Sequence, residues 1–187
     1  KVPFSESDNV DHPVSLYAAT KKSNELMAST YNHLYGLNAT GLRFFTVYGP
    51  WGRPDMAIWK FVESMYKGES LQVFAEGRLK RDFTYIEDIV LGIQALLEKL
   101  GSSPPPNIMN IGNNEPITVN DLIASLEETM ALRASINFLP MQPGDVEQTY
   151  ANIEILKEYC GFKPSKSLKE GLSHFTAWYY DYVKASK

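Results

Sequence analysis

The sequence predicts an α/β fold, and three observations carry that expectation. A long stretch without Pro or Gly, Ser15 to Tyr35, is rich in Ala, Lys, Glu, Leu and Met and has the composition of a helix. A short apolar and aromatic run, Ala39 to Tyr48, follows it at once. Further helical and strand-like segments then alternate, with Gly and Pro between them. Alternation of this kind builds a sheet covered by helices.

The first helix is expected to stop at Gly36, because glycine accepts the left-handed backbone that ends helices. Leu42, Phe44, Phe45, Val47 and Tyr48 make the next run a buried strand entering a loop at Gly49-Pro50. Met56 to Tyr66 reads as a second helix closed by Gly68. Leu71 to Phe74 and Asp82 to Ile86 read as short strands around a turn at Glu76-Gly77. The third helix, Glu87 to Leu100, carries Ile89, Ile93, Leu96, Leu97 and Leu100 on one stripe. Gly101-Ser102-Ser103-Pro104-Pro105-Pro106 breaks both patterns and is expected to be an exposed connection.

Beyond it, Ile108 to Ile111 is a strand, and Thr118 opens a helix with Asp121 three residues on, a capping arrangement. Ile136 to Leu139 is a further strand, and Ile153 to Tyr159 a short helix stopped by Gly161. The last helix starts at Ser167, with Glu170 completing a capping box, and runs past Trp178. No repeat of fixed period is present.

With 187 residues, 44% of them hydrophobic and 21% charged, the chain can bury a real core. No apolar run approaches the roughly 20 residues of a bilayer-spanning helix, and Lys1 to Glu6 lack a signal peptide's apolar region, so the expected address is the cytoplasm. A net charge of −4 with scattered basic residues argues against a nucleic-acid partner, and nothing recommends a membrane. The lone Cys160 cannot form an internal disulfide or a zinc cluster, and reads as a small core residue. The chain starts without Met inside a polar segment, which suggests a fragment, whether cut by design or a processed product.

Tyr17 and Lys21 stand four apart on the first helix, so both project from one face. An ammonium beside a phenol favours the phenolate, whose ordinary pKa is about 10, and so suits general-base catalysis. The same spacing recurs twice. Tyr159 and Lys163 span Gly161, and Tyr180 and Lys184 lie in the aromatic last helix, where packing is the simpler reading.

Context separates the first pair from the others. Pro13-Val14-Ser15-Leu16-Tyr17-Ala18-Ala19-Thr20-Lys21 and Leu42-Arg43-Phe44-Phe45-Thr46-Val47-Tyr48-Gly49-Pro50 resemble the active-site helix and following strand of NAD-dependent sugar epimerases and dehydratases, which are extended short-chain dehydrogenases/reductases. Arg81 to Asp88, Asn110 to Asn113, Pro143-Gly144-Asp145, Phe162 to Pro164 and Leu168 to Leu172 resemble later motifs of that family, in the same order.

The resemblance implies the C-terminal part of a Rossmann-like fold together with a smaller mixed α/β substrate-binding domain. Residues 1–50 would be the remnant of the Rossmann-like domain and 51–187 mostly the nucleotide-sugar domain. It also implies chemistry: the tyrosine takes a proton from a sugar hydroxyl while NAD accepts the hydride from the same carbon, and the hydride returns to the other face. On this chain Tyr17 becomes the acid/base, Lys21 its tuner and nicotinamide-ribose ligand, and Phe44 and Val47 neighbours of the nicotinamide.

Arg81 matches the diphosphate-binding arginine, since a guanidinium fork suits phosphate oxygens. Arg53, in the loop after the strand, would reach the diphosphate or a uronate carboxylate, and Arg43 would serve the strand's end. Gln72 and Phe74 match positions flanking uracil, and Asp145 an acceptor for ribose hydroxyls. Thr46 stands where many relatives carry Asn, and Gln142 where UDP-galactose epimerases carry Arg. Both departures, with the run Thr46 to Met56, suit the uronate epimerases, and so UDP-glucuronate/UDP-galacturonate interconversion. Another UDP- or dTDP-sugar epimerase, a 4,6-dehydratase, a decarboxylase or a non-catalytic relative remain alternatives.

The Gly-rich turn that cradles dinucleotide phosphates is not among these residues. The cofactor-binding half is therefore expected outside this polypeptide, and the fragment alone is expected neither to hold NAD nor to epimerise. Faces that would meet that half are expected to lie open and to favour a homodimer or self-association, with Met27, Tyr31 and Leu34 as interface candidates.

Overall fold

A computed structural model describes residues 1–100, 104–142 and 145–185. Its elements are, in order, α1 (Leu16–Tyr35), β1 (Gly41–Phe44), β2 (Thr46–Tyr48), α2 (Ala57–Lys67), β3 (Leu71–Phe74), β4 (Lys80–Tyr85), α3 (Ile86–Lys99), β5 (Ile108–Ile111), β6 (Pro116–Thr118), α4 (Val119–Met130), β7 (Ile136–Leu139), β8 (Gln148–Thr149), α5 (Glu154–Cys160) and α6 (Leu168–Ala185). The helix signals act as expected. Ser15 accepts the Ala18 amide at 3.1 Å to start α1, and Gly36 ends it at φ 64°. Thr118 accepts the Asp121 amide at 3.0 Å to start α4. Ser167 and Glu170 exchange hydrogen bonds in the capping box that starts α6.

The expected strand from Ala39 to Tyr48 divides at Phe45. β1 pairs in parallel with β5, whereas β2 pairs in parallel with β4, so one extended segment passes from one neighbour to another. It is also less buried than expected: only Tyr48 is buried, and Phe44 is 51% exposed. α1, tied to this strand, likewise contributes no buried residue. β4 starts at Lys80 rather than Asp82, because β6 (antiparallel) and β8 (parallel) pair with its polar first residues from either side. β6 and β8 have three and two residues, too short for periodicity to announce them. β3 and β7 form a separate parallel pair.

Two apolar clusters follow. The larger joins α2, α4 and α6 to β3 and β4, with Val62, Leu71, Leu122, Leu126 and Leu172 at its centre. The inward residues of α2, Ile58, Phe61, Val62 and Met65, show the helical spacing that builds such a face. The smaller packs Ile89 and Leu96 of α3 and Leu156 of α5 onto Met109 and Ile111 of β5. Cys160 lies at its margin. Of the expected α3 stripe, Leu97 (62% exposed) and Leu100 instead face outward.

The proline-rich connection is only partly exposed. Residues 101–103 lie outside the described ones, Pro104 is exposed, and Pro105 and Pro106 are half-buried. There the Pro106 carbonyl accepts the Thr40 hydroxyl at 3.0 Å, where β1 begins. At the far side of the larger cluster, Trp51, Trp59, Trp178 and Tyr182 form an aromatic cluster between α2, α6 and the loop after β2.

Candidate active site

The tie between α1 and the sheet sets the geometry. Arg43 Nε and Nη2 donate to the two Glu25 carboxylate oxygens at 2.7 and 2.9 Å, a bidentate pair joining mid-helix to mid-strand. Its partners reinforce each other: the guanidinium's hydrogen bonds hold the Glu25 carboxyl below its usual range, and the carboxylate raises Arg43. Sequence reading gave Arg43 to the strand's end, but it anchors the helix. Tyr17 lies eight residues before Glu25, about 12 Å along a helix. Tyr48 lies five residues beyond Arg43, about 16 Å along a strand. The start of α1 and the end of β2 therefore share one end of the molecule, the carboxyl end of the parallel strands, where open α/β sheets take their ligands.

At that end the Lys21 ammonium lies 5.2 Å from the Tyr17 ring centroid, so the two residues do share a face, and Tyr17 is 67% exposed. The other tyrosine–lysine spacings have no such geometry. Gly161, at φ 72°, ends α5 between Tyr159 and Lys163. The Tyr180 ring packs on Tyr66 at 5.5 Å, where burial pushes its phenol up, and Lys184 turns to Asp181 at 3.8 Å.

Thr46 is half-buried at the start of β2, while Val47 packs against the smaller cluster and Phe44 is turned out. The two residues expected beside a nicotinamide thus have different surroundings. Tyr48 is sealed in; its hydroxyl donates to the Leu168 carbonyl at 3.3 Å, and burial pushes its phenol far up. Beyond it the chain turns sharply. The Gly52 amide donates to the Gly49 carbonyl at 3.1 Å, and Trp51 takes the left-handed conformation at φ 61°, its indole against Trp178 and Tyr182.

Arg53 follows, in a second turn closed by the Met56 amide on the Arg53 carbonyl at 3.2 Å. Its Nε donates to Asp55 Oδ1 at 3.0 Å and its Nη2 to Asp55 Oδ2. That hydrogen bond, then the charge of Asp55, raises the Arg53 pKa, and the field of the Tyr17 phenol also reaches it.

The other arginine stands at the start of β4. Arg81 Nη1 donates to the Val146 and Lys80 carbonyls, each at 2.9 Å, and Nη2 donates to Asp145 Oδ1 at 3.2 Å. Two residues chosen separately from the sequence are thus brought together, although Pro143 and Gly144 of the same motif lie outside the described residues. On β3, Gln72 is exposed and accepts from Asn137 of β7 at 2.9 Å, and Phe74 is half-buried. Among the described residues, no hydrogen bond or ion pair joins Tyr17 and Lys21 to Arg81 and Asp145. Nor does any group of three or more His, Cys, Asp or Glu among them offer a metal site.

Sequence reading gave no role to Asp82, yet it organises this region. Its fully buried carboxylate accepts the amides of Asn113 (2.8 Å), Asn114 (3.0 Å) and Ala151 (3.0 Å), and the Thr84 hydroxyl at 3.3 Å. Burial raises its pKa, against the lowering by those amides. Gly112 lies alongside: a Cβ there would meet Ala151 Cβ and Asp82 Oδ2 at 2.9 Å, so only glycine lets the loop after β5 close on the carboxylate. β4 opens on the polar run Lys80-Arg81-Asp82, so nothing in the local pattern singles Asp82 out.

The model of the NAD dependent epimerase/dehydratase family matches residues 1–112. Protein CapI of Staphylococcus aureus is 47% identical over 97% of this chain and 59% of its own length. UDP-glucuronate 4-epimerase 4 of Arabidopsis thaliana is 46% identical over all of this chain and 46% of its own length. Among solved structures, UDP-glucuronic acid 4-epimerase from Bacillus cereus in complex with UDP-glucuronic acid and NAD superposes with a TM-score of 0.88 at 35% identity, covering all of this chain and 58% of that one. The chain thus spans about half to three fifths of the length of these relatives. Its α/β fold is the C-terminal part of the extended short-chain dehydrogenase/reductase fold. On the family match and on these likenesses, the chain belongs to the NAD dependent epimerase/dehydratase family.

Proposed function

We propose that this chain is the sugar-nucleotide-binding part of a UDP-hexuronate 4-epimerase, with Tyr17 exchanging a proton with the sugar's C4 hydroxyl. The observation that carries the reading is the Tyr17–Lys21 pair: an open phenol with an ammonium 5.2 Å from its ring, at the carboxyl end of parallel strands. Likeness to relatives named UDP-glucuronate 4-epimerase supports the substrate class. In this reading Lys21 sets its ammonium beside the phenol and holds the nicotinamide ribose. Arg81 and Asp145 take the diphosphate and nucleoside ribose, Gln72 and Phe74 flank the uracil, and Thr46 and Arg53 face the sugar and its carboxylate. Each assignment uses a donor or acceptor of the required chemistry.

NAD fits the residues present at one end only. The Lys21 ammonium, the Tyr17 phenol and the uncovered Phe44 ring suit a nicotinamide riboside, whereas among the described residues no glycine-rich turn before a helix offers amides to the dinucleotide phosphates. When bound, NAD supplies the hydride acceptor and donor at C4. The chain's own residues bind the nucleotide, orient the sugar and move the hydroxyl proton. The 187 residues alone are inactive in this reading and work joined to a cofactor-binding half. Met27, Tyr31 and Leu34, 55%, 55% and 61% exposed on α1, support self-association through that helix.

The test is NMR observation of UDP-glucuronate, alongside other UDP- and dTDP-sugars, with the chain joined to its cofactor-binding half. UDP-galacturonate should appear, and Tyr17→Phe should slow its formation about a hundredfold to ten-thousandfold, the usual worth of a general acid/base. Full turnover by Tyr17→Phe, or turnover by the 187 residues alone, overturns the corresponding part of the reading.

A further inference from the structure

The Arg53 side chain is not waiting empty. Its fork is filled by a carboxylate two residues away, in a turn whose second position is Pro54, and Pro holds φ near the value such turns need. The Met56 amide closes the turn on the Arg53 carbonyl at 3.2 Å. On its other flank the backbone is fixed by the Gly49–Gly52 turn and by Trp51, seated against Trp178 at 5.3 Å between ring centroids. The loop therefore presents guanidinium and carboxylate together. Both side chains are mostly exposed, 70% and 56%. An exposed pair of this kind contributes little net stability, so a better-held anion can displace it. The planar fork matches a second carboxylate or a phosphate in the same two-point manner, whereas a neutral hydroxymethyl group offers only one weak acceptor.

Resting on the proposed uronate reading, we infer that Asp55 is a specificity-determining residue: it occupies the Arg53 fork as an internal stand-in for the sugar carboxylate, so that an anionic sugar must exchange with it. Asp55 then competes with the substrate's charged group and not with the rest of the nucleotide. Removing its charge should favour the acidic sugar alone.

The experiment uses the chain joined to its cofactor-binding half. Dissociation constants for UDP-glucuronate and UDP-glucose are measured by calorimetry in wild type, Asp55→Asn, Arg53→Ala and the double variant, with kcat/KM for each sugar alongside. Asp55→Asn should tighten UDP-glucuronate about three- to fivefold, as suits an exposed pair, and leave UDP-glucose within about twofold. In the Arg53→Ala background the same change should do nothing, the mark of two residues acting through one contact. Equal effects on both sugars, weaker UDP-glucuronate binding in Asp55→Asn, or the same gain without Arg53 would each overturn the inference. Binding without turnover in wild type would fell the epimerase reading while the binding ratios still decide the role of Asp55. Binding of neither sugar would overturn both.

Discussion

Replacing Glu25 by Gln tests how α1, and with it Tyr17, is held. The helix buries none of its residues, so its main tie to the sheet is the Arg43–Glu25 pair, with two contacts at 2.7 and 2.9 Å and side chains 23% and 17% exposed. A hydrogen bond to a charged group contributes about 1.5 to 3 kcal/mol when sheltered, and partial exposure and the neutral bond that Gln retains reduce the loss here to about 1 to 2 kcal/mol. That energy belongs to local opening of α1 rather than to the two cores, since neither cluster includes an α1 residue. Amide hydrogen exchange at pH 7 should therefore show protection in α1 reduced about five- to thirtyfold, with α2, α4 and α6 unchanged. The pH dependence has a definite sign. The folded-state pKa of Glu25 is depressed, so its contribution is fully present above the ordinary carboxyl value of 4.5 and is lost as pH falls through the lower folded value. Acidification of the wild type should then loosen α1 before the rest, and Glu25→Gln should not show that step. Equal α1 protection in variant and wild type at pH 7 would refute the reasoning.

Two further outcomes are expected. Gly112→Ala forces a methyl to within 2.9 Å of Ala151 Cβ and Asp82 Oδ2; overpacking of this kind costs about 1 to 3 kcal/mol and should lower Tm by about 3 to 10 °C in a thermal scan, and an unchanged Tm would mean that the loop yields freely. Arg81→Ala removes the proposed diphosphate donor and leaves Asp145 without its 3.2 Å partner, so the dissociation constant for UDP, measured by calorimetry on the chain joined to its cofactor-binding half, should rise about tenfold to a hundredfold; unchanged affinity would remove Arg81 from the site.

Much of the fold was legible because local signals and tertiary packing agree. Gly36, Gly68 and Gly161 all end helices in the left-handed conformation, and Ser15, Thr118 and Ser167 start them. What stayed hidden depended on neighbours distant in sequence. The division of the 39–48 run at Phe45 reflects its two pairing partners, residues near 83 and 108, and β6 and β8 exist only because the start of β4 has two free edges. The same division holds for the site. The Tyr17–Lys21 face follows from helical periodicity alone, but the meeting of Arg81 with Asp145 spans 64 residues and needed a family resemblance to be suspected. The Arg43–Glu25 tie and the Asp82 cradle span 18 to 69 residues and had no local pattern to announce them.

Trp51, Trp59 and Trp178 are all the tryptophans the chain has, and the ring centroids of both Trp51 and Trp59 fall within 5.5 Å of the third. Ultraviolet excitation of indole is therefore confined to one spot, and its emission is a local signal rather than an average over the molecule. Because the outermost of the three rings sits two residues before Arg53 and is 78% exposed, a shift of that turn changes quenching and colour at once. The chain carries its own optical probe beside the turn that presents Arg53, where the proposed exchange with a sugar carboxylate would register.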